Sequence, residues 1–368
     1  MAMVKIDDSK KLSSFKELNL PSLQKIISLY EIRSKNNVLI WTDNGKNSLA
    51  PVIAKSLRTL LLQSKCNVSI IVEKPSKELG PASKITQKAI LSLGLEDVFI
   101  SIGSANRGYV EEAGPAAKKG TEKAHILMRT LMEKQGFKMV SIGGLSSLKS
   151  NKVNEFLASF DHDVTELKNL NRKLRILMQK TSYIKVTCPA GTDLLVELDQ
   201  KRKIMSNDGN WKDYSTNYPV GEVYAAPVES SANGVAFATS IKITGQTILA
   251  KKPVKFVFDN GLLTSVDSKE VEKNLEYVEK FNKEKGVLHS RTASRTIAEF
   301  GIGTNKRAKV VGAMICDEKA YGTCHFAYGN NKHLGGENYC HGHFDNVIVK
   351  PSIWFDGVKV MEDGELLI

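Results

Sequence analysis

Short apolar runs alternate with amphipathic segments through the first part of the chain. The runs are continuous and rich in β-branched residues, as buried strands are. In chain order they are NVLIWT (37–42), VSIIVE (68–73), DVFISIG (97–103) and KMVSIGG (138–144). The segments between them, at 47–65, 82–94 and 121–136, have helical spacing, and the last opens on Thr121, a residue type that caps helices. Strand–helix repetition of this kind predicts an α/β fold with a mostly parallel sheet flanked by helices.

The pattern changes after residue 150. Residues 151–182 predict one or two polar amphipathic helices, and short β-rich runs separated by Gly, Pro and Asn turns begin near residue 183. We therefore expect three parts: an α/β scaffold domain at 1–150, a helical connection at 151–182 and an α+β catalytic domain at 183–368.

Two elements of the last part have clear local patterns. VKFVFDNGLLTSV (254–266) predicts a β-hairpin, because Asp259-Asn260-Gly261 between two apolar runs is typical of a tight turn. Residues 268–286 predict a helix, with Ser268 as its cap and Gly286 at its end.

Composition is that of a globular protein. The chain has 368 residues, of which 42% are apolar and 25% charged. No apolar run approaches the roughly 18 residues that a membrane span needs, and residues 1–15 lack the apolar core of a secretory signal. We expect a cytoplasmic protein without membrane contact. Five cysteines without regular spacing predict free thiols rather than a disulfide framework.

The net charge of +12 comes from the first half of the chain. Residues 1–180 contain 29 Lys+Arg against 17 Asp+Glu, and residues 181–368 contain 23 of each. The basic residues are dispersed, with no Lys/Arg block and no interleaved aromatic residues, so no nucleic-acid partner is expected. The glycines of SIGSANRG and SIGGLSS form neither of the nucleotide-binding fingerprints, so we expect no nucleotide cofactor.

Histidines are concentrated near the end of the chain. Four of the seven fall within nineteen residues: His325, His333, His341 and His343. In HFD, alternation along a strand would put the side chains of His343 and Asp345 on one face. A nitrogen and a carboxylate that share a strand face can bind one metal ion or two adjacent ions, although a hydrogen-bonded His–Asp pair would give the same pattern.

Two glutamates add to this set of donors. Glu299 lies among apolar residues in TIAEFGIGTN, where an unpaired carboxylate would be costly, and Glu222 occupies a similar place in NYPVGEVYAAPVE. With His325, His343 and Asp345 they make five oxygen and nitrogen donors, a set that suits a pair of Zn²⁺, Co²⁺ or Mn²⁺ ions. An alternative is a structural zinc site built from Cys324, Cys340, His341 and His343, but its spacing lacks the usual pairs.

With these residues the chain resembles a known family, the thermophilic-type metallo-aminopeptidases (aminopeptidases T and S), in particular their shorter archaeal-like relatives. The matching motifs are IKVTCPAGTDLLVEL, NYPVGEVYAAPVE, AEFGIGTN, DEKAYGTCHFAYG, GGEN followed by HGHFD, and IWFDGVKVMEDGELL. The resemblance implies an aminopeptidase with two divalent metal ions and a metal-bridging water, acting on peptides as a homodimer. It also implies the metal ligands Glu222, Glu299, His325, His343 and Asp345, with His333 and His341 outside the ligand set.

The catalytic residues are less well defined by the resemblance. Larger members carry a tyrosine seven residues after the histidine that matches His325, and the residue here is Lys332. Tyr328 and Tyr339 are the candidates to take its place beside the substrate carbonyl. Glu318, in the acidic start of DEKAYGTCHFAYG, is the candidate general base or amine-binding carboxylate.

A second reaction class uses the same scaffold. Some relatives are iron-dependent dioxygenases that cleave the ring of dihydroxypyridine with two histidines and one carboxylate. His325, His343 and Asp345 alone would bind Fe(II) in this way. Glu222 and Glu299 favour the peptidase, because a site with a single iron does not need them.

Overall fold

The first sheet has four parallel strands in the order β2-β1-β3-β4. This computed structural model describes residues 3–18, 21–45, 48–76, 78–105, 107–110, 128–213 and 216–368. The four strands are β1 (Asn37–Asp43), β2 (Asn67–Glu73), β3 (Val98–Ile102) and β4 (Lys138–Ile142). Each coincides with a predicted run, and the parallel pairing confirms the predicted α/β class.

Helices cover both faces of this sheet. They are α1 (Gln24–Leu29), α2 (Ala50–Gln63), α3 (Lys84–Leu91) and α4 (Met128–Gln135). One hydrophobic cluster packs α2 against Val38 and Ile40 of β1, and a second packs α3 and α4 against Leu39 and Trp41 of the same strand. Alternating residues of one strand thus face opposite layers. Thr121, the expected cap of the last helix, lies outside the described residues.

Two helices follow the first sheet, as the polar pattern at 151–182 allows. They are α5 (Val153–Ala158) and α6 (Val164–Gln179). Asp163 caps α6, because its Oδ1 accepts the backbone N–H groups of Thr165 at 2.8 Å and of Glu166 at 2.9 Å.

The second sheet is larger, curled and antiparallel. Its strands are β5 (Tyr183–Thr187), β6 (Asp193–Glu197), β7 (Met205–Asn207), β8 (Glu222–Ala225), β9 (Asn233–Ile243), β10 (Gln246–Asp259), β11 (Leu262–Val266), β12 (Ile297–Gly303), β13 (Thr323–Gly329), β14 (His343–Val349), β15 (Ser352–Phe355), β16 (Val358–Glu362) and β17 (Glu365–Leu366). The order is β17-β16-β15-β5-β6-β9-β14-β13-β12-β8-β7, and β10 and β11 extend from β9. Five consecutive strands of this order, from β9 to β8, carry the residues of the candidate site.

Both local predictions for this region are confirmed. The hairpin β10–β11 turns at Asn260 and Gly261, whose φ angles of 46° and 80° are those of a tight hairpin turn. Helix α7 (Lys269–Glu284) begins after Ser268, whose hydroxyl oxygen accepts the N–H of Val271. Two short helices, α8 (Ser290–Arg295) and α9 (Met314–Asp317), complete the fold. None of the described helices is long and apolar enough to span a membrane.

Candidate metal centre

All five ligands expected from the sequence lie on neighbouring strands. Glu222 begins β8, Glu299 lies on β12, His325 on β13, and His343 and Asp345 on β14. The register pairs Ala327 of β13 with both Glu299 and Asp345. Because side chains two residues apart share a face of a strand, the five side chains meet on one face of the sheet.

A small residue makes room for His325. Gly301 of β12 pairs with His325 of β13. A Cβ atom at Gly301 would lie 2.2 Å from His325 Nε2, so any larger residue there would displace the imidazole. Gly301 in AEFGIG is therefore needed because a side chain approaches the backbone closely there, and not because the chain turns.

Glu299 lies at the centre of the cluster. Its Oε1 is 3.0 Å from His325 Nε2, and its Oε2 is 3.1 Å from His343 Nε2. Glu222 Oε2 lies 3.6 Å from His325 Nε2, and Asp345 Oδ1 lies 2.9 Å from His343 Nε2. The donors thus form two sets, one around each histidine, and Glu299 contributes one oxygen to each set.

Two lysines, which the sequence did not single out, hold the outer oxygens of this cluster. The ammonium group of Lys319 is fully buried and donates to Glu222 Oε1 and to Glu318 Oε1. Lys242 Nζ, on β9, donates to Asp345 Oδ2 at 2.9 Å. Each terminal carboxylate therefore has one oxygen on a lysine and the other directed at a histidine.

The buried acidic and basic groups of the cluster shift one another's pKa values. Burial opposes the ionisation of Glu299, yet hydrogen bonds with the two histidines hold its pKa at about 2. Burial alone would lower the pKa of His343, but Asp345 and Glu299 raise it well above its ordinary value. Burial would likewise lower the pKa of Lys319, and Glu222 and Glu318 raise it instead. In the metal-free cluster the carboxylates thus lie against cationic side chains, and burial raises the pKa of Glu222 to about 7.

Outer hydrogen bonds orient the donors. His343 Nδ1 donates to the backbone oxygen of Asn330 at 2.7 Å, which leaves Nε2 as the nitrogen directed at the carboxylates. Asn171 of α6 donates to the backbone oxygen of Glu222 at 3.0 Å. Asp317 accepts the hydroxyl of Ser240 at 2.6 Å and anchors the segment that carries Glu318 and Lys319. Partners of this kind fix side-chain orientation at metal sites.

The other two clustered histidines separate in the structure. The ring centroid of His333 lies 5.0 Å from that of His343, and burial and His343 lower the pKa of His333 to about 3. His333, Glu299 and His343 each offer a ligand atom within 4.8 Å of the others, so His333, expected outside the ligand set, lies close enough to bind a metal. His341 packs instead against Phe281 and Tyr109.

The tyrosines and cysteines that the sequence suggested as site residues lie outside the cluster around Glu299. Tyr328 is three residues after His325 on the same strand, so its side chain points to the opposite face, where it stacks on Phe344 at 5.5 Å. Tyr339 packs against His341. Cys324 also belongs to the core on that opposite face, and no group of potential ligands among the described residues includes a cysteine. The structure therefore does not support the Cys–His zinc alternative, and it places neither tyrosine at the cluster.

A cavity of about 650 Å³ opens onto the cluster. One part of it is lined by residues of the cluster, namely Glu222, Glu299, Glu318, Lys242, His343 and Asp345. The first half of the chain lines another part, with Trp41, Arg107, Tyr109 and three methionines, Met128, Met132 and Met139. Its volume is in the range that holds a small organic molecule or a short peptide.

The donors fit a divalent metal ion. Two groups of three side chains, Glu222–Glu299–His325 and Glu299–His333–His343, have their ligand atoms within 4.8 Å of one another, and they share Glu299. Carboxylate oxygen and imidazole nitrogen are ligands that Zn²⁺, Mn²⁺, Co²⁺ and Fe²⁺ accept.

The fold and these candidate metal-binding groups define an enzyme scaffold of the mixed α/β class. The chain belongs to the family described as NicX, 2,5-dihydroxypyridine 5,6-dioxygenase, whose model matches residues 161–368. No curated protein sequence matches the chain.

Solved structures share the fold. The 2,5-dihydroxypyridine dioxygenase from Pseudomonas putida KT2440 has a TM-score of 0.64 and 14% identity, over 94% of this chain and 96% of that one. Wild-type AmpT (aminopeptidase T) from Thermus thermophilus has a TM-score of 0.61 and 14% identity, over 94% and 99% of the two chains. The expected relation to aminopeptidase T is therefore supported for the fold, whereas the family model carries the name of the dioxygenase.

Proposed function

We propose that the protein is a metal-dependent aminopeptidase that removes N-terminal residues from peptides. The observation that carries the proposal is the position of Glu299, whose two carboxylate oxygens face two different histidines. A carboxylate placed in this way suits a site for two metal ions, with Glu222 and His325 on one side and His343 and Asp345 on the other. When bound, two divalent ions would supply an ionised water at neutral pH and polarise the scissile carbonyl.

Glu318 is the proposed general base. It is buried, lines the cavity and receives a hydrogen bond from Lys319 on Oε1, whereas Oε2 has no partner among the described residues. Oε2 can therefore accept a proton from the attacking water and deliver it to the leaving amine. Lys319 keeps the carboxylate in position but is itself too deeply buried to touch the substrate.

The lining of the cavity favours short peptides with an apolar first side chain as substrates. Five of the nine methionines of the chain line it, together with Trp41 and Leu79. Methionine side chains are flexible and polarisable, so a wall of this kind accommodates apolar groups of different shape. A panel of aminoacyl substrates would test this, with Leu, Met and Phe derivatives cleaved faster than Asp or Gly derivatives. The homodimer remains part of the proposal, and light scattering would test it.

Ring cleavage of a dihydroxypyridine is the second candidate. The family model supports it. His325, His343 and Asp345 would be the ligands of a single Fe²⁺ in this reading.

Metal stoichiometry distinguishes the two candidates. Elemental analysis would be made on protein purified without chelators or a metal-binding tag. About two zinc, cobalt or manganese ions per chain, with release of the first residue from peptides, would support the aminopeptidase. About one iron per chain, with oxygen uptake on 2,5-dihydroxypyridine, would support the dioxygenase and overturn the first proposal.

A further inference from the structure

Hydrolysis of a peptide bond calls for a donor that stabilises the developing charge on the substrate carbonyl oxygen. Larger members of the family that the sequence resembles carry a tyrosine where this chain has Lys332, an exposed residue on a short 3-10 turn. Tyr328 points into the core, and Tyr339 packs on His341. Neither of these two tyrosines lies at the cluster. Tyr224 of β8 lines the cavity, and the cation there that contacts a proposed metal ligand is Lys242.

Lys242 has the position and the hydrogen-bonding capacity that the role needs. It lies on β9, next to β14, and its side chain lines the cavity and is 39% exposed. An ammonium group carries three N–H donors. Among the described residues only Asp345 Oδ2 accepts one of them, so two remain for a molecule in the cavity.

The other cations near the cavity are less well placed. Lys319 has no exposed surface, and both of its carboxylate partners are fixed. Arg107 lines the cavity from the first half of the chain, where its guanidinium lies 5.0 Å from the ring centroid of Phe99. Among the described cavity residues, Lys242 is the cation that directly contacts a proposed metal ligand.

We propose that Lys242 is a catalytic residue that donates a hydrogen bond to the scissile carbonyl oxygen. The proposal rests on the aminopeptidase function. Water oxygen forms a bond to the carbonyl carbon, and the oxygen held by Lys242 gains negative charge. The C–N bond then breaks, the proton taken by Glu318 passes to the leaving amine, and the products are a free amino acid and the shortened peptide. Asp345 fixes the ammonium group beforehand, so little reorganisation accompanies the build-up of charge.

The test compares Lys242→Met with Lys242→Arg. Loss of one donor to a developing oxyanion typically lowers kcat by about 10²–10³-fold. We expect that loss in Lys242→Met, with KM for leucine p-nitroanilide changed less than about threefold because the donor acts mainly in the transition state. Lys242→Arg should recover part of kcat. Lys251→Met, at an exposed lysine of β10, is the matched control and should behave as wild type.

A binding measurement gives a readout independent of turnover. The phosphonate analogue of leucine has a tetrahedral anionic group like the transition state, and leucinamide does not. By calorimetry, Lys242→Met should lose phosphonate affinity in parallel with kcat and keep its affinity for leucinamide and its metal content.

Three results would overturn the proposal, and they are distinguishable. A Lys242→Met variant that keeps kcat and phosphonate affinity would remove Lys242 from the reaction and leave the aminopeptidase intact. A variant that loses activity only because it loses metal would make Lys242 a support for Asp345 rather than a catalytic residue. A wild-type protein that cleaves no aminoacyl substrate would overturn the aminopeptidase and this proposal together.

Discussion

Replacement of Lys319 by methionine tests the role of the buried lysines most directly. The ammonium group lies between Glu222 and Glu318 with no exposed surface. Methionine has a side chain of similar length without charge. In the metal-free protein the change leaves two buried carboxylates without their shared cation.

The expected cost follows from the burial of these groups. Removal of one partner from a buried ion pair destabilises a protein by about 3–5 kcal/mol. At roughly 2 °C per kcal/mol for a large domain, the Tm of Lys319→Met in EDTA should fall by about 6–10 °C. A divalent ion at the cluster replaces the missing positive charge, so metal should stabilise the variant more than it stabilises the wild type.

Calorimetric scans of both proteins in EDTA and in saturating Mn²⁺ measure this difference. Lys138→Met is the matched control, because Lys138 is equally buried but donates to the backbone oxygen of Glu31, away from the cluster. It should lower the Tm by the same amount with and without metal. If Mn²⁺ raises the Tm of Lys319→Met no more than that of the wild type, Lys319 does not substitute for a metal charge and the reasoning is wrong.

Three further predictions concern single positions. Glu299→Gln should abolish both peptide hydrolysis and the metal-dependent rise in Tm, because both donor sets use this carboxylate. Gly301→Ala should prevent metal binding, measured by elemental analysis, because the new Cβ would lie 2.2 Å from His325 Nε2. Glu229→Gln, at the partly exposed Glu229–Arg202 pair, should lower the free energy of unfolding at pH 7 by about 1–2 kcal/mol. Burial opposes ionisation of Glu229, but hydrogen bonds led by Arg202 hold its pKa at about 2. In urea titrations the stability advantage of the wild type should therefore be complete above pH 4.5 and should vanish as the pH falls toward 2.

Controls separate these effects from general loss of structure. Glu270→Gln changes an exposed glutamate at the start of α7 and should leave metal binding and activity unchanged. Gly94→Ala adds a methyl group 3.9 Å from its nearest neighbour and should leave metal content unchanged. A Glu299→Gln protein with normal metal content, or a Gly301→Ala protein that still binds metal, would contradict the proposed ligand set.

The five ligand candidates could be chosen from the sequence because their patterns are local. HFD on a strand puts His343 and Asp345 on one face by alternation alone, and the structure has that arrangement. Glu222 and Glu299 stood out because carboxylates among apolar residues need partners. The same alternation also excludes Tyr328, which is an odd number of residues from His325 and so faces the other way.

The lysines could not be chosen in this way. A lysine in a β-rich segment is ordinarily exposed, and its burial depends on contacts that are distant in sequence. Lys242 meets Asp345 only because β9 pairs with β14 through Val347 and Ser240. Lys319 is buried because α9 and the segment after it lie against the Glu222 end of β8. A single sequence does not contain this register.

The cavity joins two stretches of chain with separate tasks. Every proposed metal ligand comes from residues 222–345, in strands of one sheet, whereas Trp41, Arg107 and Met139, which also line the cavity, come from the first half of the chain. Substitutions in the first half can therefore change which molecule is held without disturbing the groups that react with it. Such a separation makes chimeras that exchange residues 1–150 between relatives a direct way to transfer substrate preference.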